Sequence, residues 1–169
     1  MDEIARLLEP QIQALRRYAF ALLRDRDAAD DLVQDTLERA VAGWGRRRPD
    51  GDLRAWLFAI ERNLFLQLAR RRGRQGSRVG LEALEAIPAP SVDAEAALGA
   101  RDVLAALETL PEEQRSALLL VAVEDLSYAE AASVLGIPLG TVMSRLSRAR
   151  ERLRNVMETG RTSLLRRVK

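Results

Sequence analysis

Apolar residues recur at intervals of three and four along most of the chain, which places them on one face of an α-helix. The pattern predicts helices over residues 2–24, 27–44, 53–74, 92–109 and 110–124, with two further helices after residue 127. From Gly73 to Ser91 the pattern fails and glycine and proline accumulate, as is typical of a linker. The predicted fold is all-α: two small helical domains, residues 1–73 and 92–169, joined by a flexible linker, residues 74–91.

The stretch that begins at Leu126 carries the most specific local signals. Ser127 and Glu130 are spaced as a capping box, which predicts the start of a short helix. Gly136 supplies the left-handed residue that ends this helix, and Pro138 favours a new helix immediately after it. Two helices joined by so tight a turn indicate a helix-turn-helix, whose second helix enters the DNA major groove. A solvated basic helix on a bundle is the alternative.

The second of these helices divides by face. Its inward residues are predicted to be Val142, Leu146, Ala149, Leu153 and either Val156 or Met157. The opposite face and its rim carry side chains suited to base edges and phosphates. The residues predicted to contact DNA are Thr141, Met143, Ser144, Arg145, Ser147 and Arg148.

A polar, mostly acidic strip runs along the helix predicted at 27–44, for which Asp27 is the expected cap. The residues of the strip are Asp31, Gln34, Asp35 and Glu38, spaced so that they share one outward face. The strip is either a solvated face or an edge that binds a basic protein partner. Spacing alone leaves both interpretations open.

A basic loop, Arg46 to Asp52, leads into the helix that Asp52 is predicted to cap. That helix carries Trp56, Asn63 and a run of arginines at its end. Positive charge combined with aromatic rings is the mixture that single-stranded nucleic acid favours. The alternative is that the aromatic rings belong only to the core, whose predicted members here are Leu53, Trp56, Leu57, Ile60, Leu64 and Leu68.

Composition narrows the classes of function. Hydrophobic residues make up 47% of the chain and charged residues 31%, enough apolar content for a packed core. The absence of cysteine and histidine removes thiolate metal sites and the commonest general base. We therefore predict no enzyme activity, no catalytic residue, no metal and no cofactor. Because no apolar run approaches the ~18 residues of a membrane span and no signal peptide is recognisable, we expect a cytoplasmic protein without membrane insertion.

Three segments together resemble the extracytoplasmic-function (ECF) sigma factors, the two-domain class of the sigma-70 family. These segments are DLVQDTLERA at 31–40, LRAWLFAIERN at 53–63, and the stretch from Leu110 to Leu153. The second is also similar to the alphaproteobacterial general-stress subgroup. The resemblance implies a sigma2-like domain of three or four helices before the linker and a sigma4-like helix-turn-helix domain after it.

The resemblance also implies roles and partners. The acidic strip, Asp31, Gln34, Asp35 and Glu38, would bind the β′ clamp helices of core RNA polymerase. The β subunit of the polymerase would be a further partner. The promoter −10 element, with one flipped base, would be held by Arg46, Arg47, Arg48, Asp50, Arg62, Asn63, Arg70 and Arg71. The six residues of the recognition helix would read the −35 element. An anti-sigma factor is an expected partner, and a small-molecule substrate is not.

Three other functions fit parts of the sequence. A helix-turn-helix regulator that acts without polymerase explains residues 110–158 but leaves the first domain without a role. A sigma-like decoy would typically lack a working basic helix and carry a receiver domain. A carboxylate nuclease would need Asp27, Asp30, Asp31 and Asp35 to converge, whereas helical spacing makes most of them diverge.

Overall fold

The computed structural model describes residues 2–74 and 94–167 of the chain, and these residues form eight α-helices and no strand. The predicted linker lies almost wholly outside them. The all-α prediction is confirmed, and no helix in the described ranges is both long and apolar enough to cross a bilayer. The helices are α1 (Asp2–Leu8), α2 (Ile12–Leu23), α3 (Arg26–Gly43), α4 (Leu53–Arg74), α5 (Ala94–Glu108), α6 (Glu112–Leu118), α7 (Tyr128–Leu135) and α8 (Leu139–Arg167).

In the N-terminal half, α2, α3 and α4 pack against one another. Arg24 adopts a left-handed φ of 57° and ends α2. Asp25 follows with an extended backbone, and its carboxylate accepts a hydrogen bond from the Ala28 N–H at 2.8 Å. The prediction that Asp27 caps α3 is therefore wrong, because α2 ends early enough for Asp25 to take that place. The Asp52 cap of α4 is confirmed by a 2.6 Å bond from the Ala55 N–H.

In the C-terminal half, the local signals around the helix-turn-helix are confirmed. Ser127 and Glu130 make both hydrogen bonds of a capping box, and Gly136 ends α7 with a φ of 64°. The inward face of α8 is also as predicted, with Val142 and Leu146 fully buried. Pro111 is the residue immediately before α6, in the N-cap position.

Helix α4 is buried on two faces. The predicted face, which includes Leu57 and Leu64, packs towards α3. A second stripe, Arg54, Phe58, Glu61 and Phe65, follows helical spacing along the other side and packs towards α6 and α7. The two halves of the described chain therefore lie against each other, which the sequence did not predict.

The contact between the halves centres on Glu124. This residue follows a single π-helical turn, Leu119–Val123, at the end of α6, and it is only 1% exposed. Its carboxylate accepts hydrogen bonds from Arg17 at 3.2 and 2.9 Å and from Arg54 at 2.7 Å. One buried carboxylate of the C-terminal half thus joins two arginines of the N-terminal half.

Glu61 lies in the same contact without a partner. It is fully buried, and neither carboxyl oxygen makes a hydrogen bond. Burial, with a further contribution from the nearby Glu124 carboxylate, raises the pKa of Glu61 to about 9. The side chain is therefore a neutral acid at pH 7.

Glu61 should make stability fall as pH rises. The folded chain keeps the Glu61 proton up to about pH 9, whereas the unfolded chain releases it near its ordinary pKa of 4.5. Over that window the free energy of unfolding should therefore drop by up to about 1.4 kcal/mol per pH unit from this group. The substitution Glu61→Gln should remove this slope and leave the variant more stable than wild type at pH 8.

Urea unfolding at pH 5, 6, 7 and 8 measures the effect. Glu151→Gln, a change at an exposed site on α8, is the matched control and should follow the wild-type slope. A Glu61→Gln variant with an unaltered slope would contradict the assignment of a buried neutral acid.

Candidate functional site

The outward face of α8 presents five of the six predicted DNA-contacting residues. Met143, Ser144, Ser147 and Arg148 are exposed, and Thr141 is half-buried. The Ser144 hydroxyl donates a hydrogen bond to the Thr141 carbonyl at 3.1 Å, so its proton is already used within the helix. The face therefore offers hydroxyl oxygens, one apolar side chain and the Arg148 guanidinium.

Arg145 departs from this arrangement. Its side chain is 19% exposed and points towards α6, where its guanidinium lies 3.8 Å from the Glu113 carboxylate. Arg145 therefore lies on the flank of α8, beside the outward face that carries the other five residues. Met143 and Arg148 face outward, whereas Arg145 lies on the side of the helix that packs against α6.

A groove of about 300 Å³ lies between α3 and α4. Asp31 and Asp35 line its α3 wall, and Arg71 and Arg72 line its α4 wall. Gln34 and Glu38 are exposed on α3 beside it, joined to each other by a 3.0 Å hydrogen bond. Arg39 of α3 lines the groove as well, so the groove carries both carboxylates and guanidinium groups.

A second cavity, of about 260 Å³, opens between the end of α3 and the middle of α4. We call it the tryptophan pocket. Its lining includes Trp56, Asn63, Arg39 and Arg46. Trp44 packs edge-on against Trp56 with ring centroids 6.1 Å apart, which fixes the ring that walls the pocket.

The basic loop beside the tryptophan pocket is braced by its own side chains. Arg47 stacks over the Trp44 ring at 5.2 Å and donates a hydrogen bond to the Gly51 carbonyl at 3.0 Å. Arg46, Arg48 and Asp50 remain exposed, as do Arg70 and Arg71 on α4. Of these side chains Arg46 lines the pocket itself, whereas Arg71 lines the groove.

Arg62 does not line the tryptophan pocket, contrary to expectation. It is 6% exposed and lies on the second stripe side of α4, where it donates hydrogen bonds to Glu112 and, at 2.9 Å, to the Ser116 hydroxyl. Adjacent residues of a helix differ by about 100° in direction, so Asn63 can face the pocket while Arg62 faces the other half.

Sequence reasoning missed the polar network around Arg62. Tyr18 is fully buried and hydrogen-bonds to Ser116, and burial raises the pKa of the Tyr18 hydroxyl to about 12. A signal for it was present, because Glu61 lies four residues after Leu57 and three before Leu64, at helical spacing from both. A charge in line with residues predicted to be buried indicates a polar contact with another part of the fold.

Family models match both halves. Residues 100–153 match sigma-70 region 4, and residues 8–61 match the sigma2 domain of PhyR. Among curated proteins, the ECF RNA polymerase sigma factor EcfG of Rhodopseudomonas palustris is 41% identical over 147 residues, covering 84% of this chain and 78% of that protein. ECF sigma factor SigC of Mycobacterium tuberculosis is 37% identical over 156 residues, with coverage of 88% and 82%.

Solved structures agree with these relatives. The sigma factor RpoE in complex with the anti-sigma factor NepR from Bartonella quintana superposes with a TM-score of 0.81 at 35% identity, covering 94% of this chain and 98% of RpoE. CnrH in complex with the cytosolic domain of CnrY gives a TM-score of 0.71 at 28% identity, with coverage of 92% and 88%.

Substitutions at two neighbouring residues of α4 should have very unequal effects on stability. Arg62→Met leaves the Glu112 carboxylate without its partner and Ser116 with Tyr18 alone, and should lower the free energy of unfolding by about 1–3 kcal/mol. Asn63→Ala removes an exposed amide and should change it by less than about 0.5 kcal/mol. Urea denaturation of both variants measures the difference, and equal losses would mean that Arg62 does not hold the two halves together.

Proposed function

Since this chain belongs to the extracytoplasmic-function sigma factors of the sigma-70 family, which direct RNA polymerase to promoters, we propose that three of its surfaces divide the work of initiation. EcfG and the NepR-bound RpoE confirm the resemblance to the general-stress subgroup. Sigma factors are not enzymes. The proposed division is a polymerase-binding groove, a −10 pocket and a −35 recognition helix.

Core polymerase binds the groove between α3 and α4 through the β′ clamp helices. Asp31 and Asp35 face the basic side chains of that partner, and Gln34 and Glu38 extend the contact along α3. The groove is open on the side of α4 that faces away from the C-terminal half, so polymerase can reach it while the halves are packed together. Further contacts with the β subunit follow once the chain is bound.

The tryptophan pocket captures one flipped base of the −10 element. Trp56 offers a ring on which a base stacks, and the Asn63 amide can donate and accept hydrogen bonds at a base edge. Arg46, Arg48 and Arg70 are free to hold the backbone of the displaced strand. Binding the flipped base only in the melted state favours the open complex.

The −35 element is read by the exposed face of α8 as duplex DNA. Ser147 and Arg148 supply polar contacts there, and Met143 supplies an apolar one. The two promoter elements lie about 70–85 Å apart along the duplex at about 34 Å per turn, whereas a compact chain of this length has a radius of gyration of about 15 Å. The packed halves must therefore separate before both elements are bound.

An anti-sigma factor binds the packed arrangement and keeps it from separating. The support for this is that NepR-bound RpoE superposes on 94% of this chain, both halves included, in one alignment. A protein that binds only the packed form lowers the population able to engage a promoter by mass action. The proposed location is the cytoplasm, where polymerase and promoter are, and the proposed mechanism uses no cofactor, metal or small-molecule substrate.

One observation carries the proposal: the charged groove and the exposed recognition helix occur in one chain. A regulator that acts without polymerase has no use for the groove. Run-off transcription with purified core polymerase on a promoter library separates the two, since a sigma factor gives initiation at selected sites. Binding of duplex without any initiation would favour the helix-turn-helix regulator instead.

Removal of two groove carboxylates should weaken polymerase binding. Asp31→Ala with Asp35→Ala should weaken capture of core polymerase at least tenfold and leave the free energy of unfolding unchanged, because both side chains are exposed. Asp30→Ala with Glu151→Ala removes the same charge elsewhere and is the control. If both double variants bind core polymerase like wild type, the groove is not the polymerase site.

A further inference from the structure

An apolar pair lies at the start of the recognition helix. Leu139 is 47% exposed and Met143 is 50% exposed, and the two are one helical turn apart on the same side of α8. Single exposed apolar residues are ordinary on protein surfaces. Here, however, the pair borders the face that the proposed function assigns to −35 DNA, and Ser147 continues the same line one turn later.

We propose that Met143 is a specificity-determining residue that recognises the 5-methyl group of a thymine in the −35 element. This rests on the proposed function of α8. A methionine side chain has no donor and only a weak acceptor. A methionine packed against amino, N7 or carbonyl groups of a base would displace their water and offer no hydrogen bond in return, which is unfavourable. The thymine methyl is the one apolar feature that the major groove presents.

The residues next to Met143 are not free to distinguish one base pair from another at this position. Arg145 is turned towards Glu113, and the Ser144 proton is used by the Thr141 carbonyl. Arginine to guanine is the commonest specific contact in the major groove. In the first two turns of α8 no guanidinium is available for it, so the base pair opposite Met143 is read by shape and methyl contact. Leu139 extends the apolar surface on the side towards the turn.

The thioether chain suits this role physically. It is unbranched and polarisable, and it adapts to the position of a methyl group better than a branched side chain does. Loss of one buried methyl contact corresponds to a roughly three- to tenfold loss of affinity. That effect is large enough to set the base preference at one position.

The experiment uses holoenzyme formed from core polymerase and the full chain. Initiation sites are first selected from a library randomised across the −35 element. In the best template each −35 thymine, on either strand, is then replaced in turn by deoxyuridine, which removes the methyl group and keeps every hydrogen-bonding group. We expect one position at which deoxyuridine lowers holoenzyme affinity three- to tenfold.

Variants assign that effect to Met143. With Met143→Ala the thymine and deoxyuridine templates should bind equally, and Met143→Leu should retain part of the difference. Met157→Ala, a change at another exposed methionine four turns further along α8, is the matched control and should keep the whole difference. Thermal unfolding of each variant confirms that the helix is intact.

Two results would overturn the proposal while initiation stays normal. One is a selected −35 element in which no thymine responds to deoxyuridine. The other is a deoxyuridine effect that persists undiminished in Met143→Ala. Failure of the proposed function is distinguishable, because wild-type protein would then give no promoter-specific initiation on any template, and the inference would fall with it.

Discussion

The buried carboxylate of Glu124 is the acceptor on which the packing of the two halves depends. It receives Arg17 from α2 and Arg54 from α4, so it fixes the C-terminal half against two helices at once. Removing charges from water costs free energy, and a buried ion pair recovers that cost only with good geometry. Such a contact fixes one arrangement, while its ion pairs themselves add little to the free energy that holds the halves together. Reversible separation of the halves is therefore compatible with a well-defined packed form.

Helix α4 links this contact to the proposed functions. One side carries the polymerase groove and the tryptophan pocket, and the other carries the second stripe and Arg62. In the proposed arrangement, polymerase would therefore bind the side of α4 opposite to the C-terminal half. The neutral acid Glu61 lies beneath Glu124 on the second side, so separation of the halves would rehydrate it and release its proton. The packing of the halves is in this way coupled to proton concentration as well as to protein partners.

The features that the sequence predicted well are those decided within a few residues. The capping box at Ser127, the left-handed Gly136 and the inward face of α8 depend on local backbone geometry and helical spacing, and all three are confirmed. The placement of Arg62 could not be predicted in this way, because it depends on Glu112 and Ser116 of α6, which are distant in sequence. The placement of Arg145 could have been, since it lies at helical spacing from the inward Val142 and Ala149. The groove and the tryptophan pocket were predicted in part. Several of their residues were identified from the sequence, but only the packing of α3 on α4 brings those residues together.

The π-helical turn at Leu119–Val123 gives the chain a place where its length can differ by one residue. It accommodates one residue more than an α-helical turn does, and Glu124 follows immediately after it. Removing one residue there, with a return to α-helical winding, would leave Glu124 at nearly the same angle around the axis. The same deletion within a regular α-helical turn would rotate every following side chain by about 100°. A family member that is one residue shorter in this stretch could therefore keep the carboxylate directed at both arginines, whereas one that is shorter elsewhere in α6 must join its two halves by different side chains.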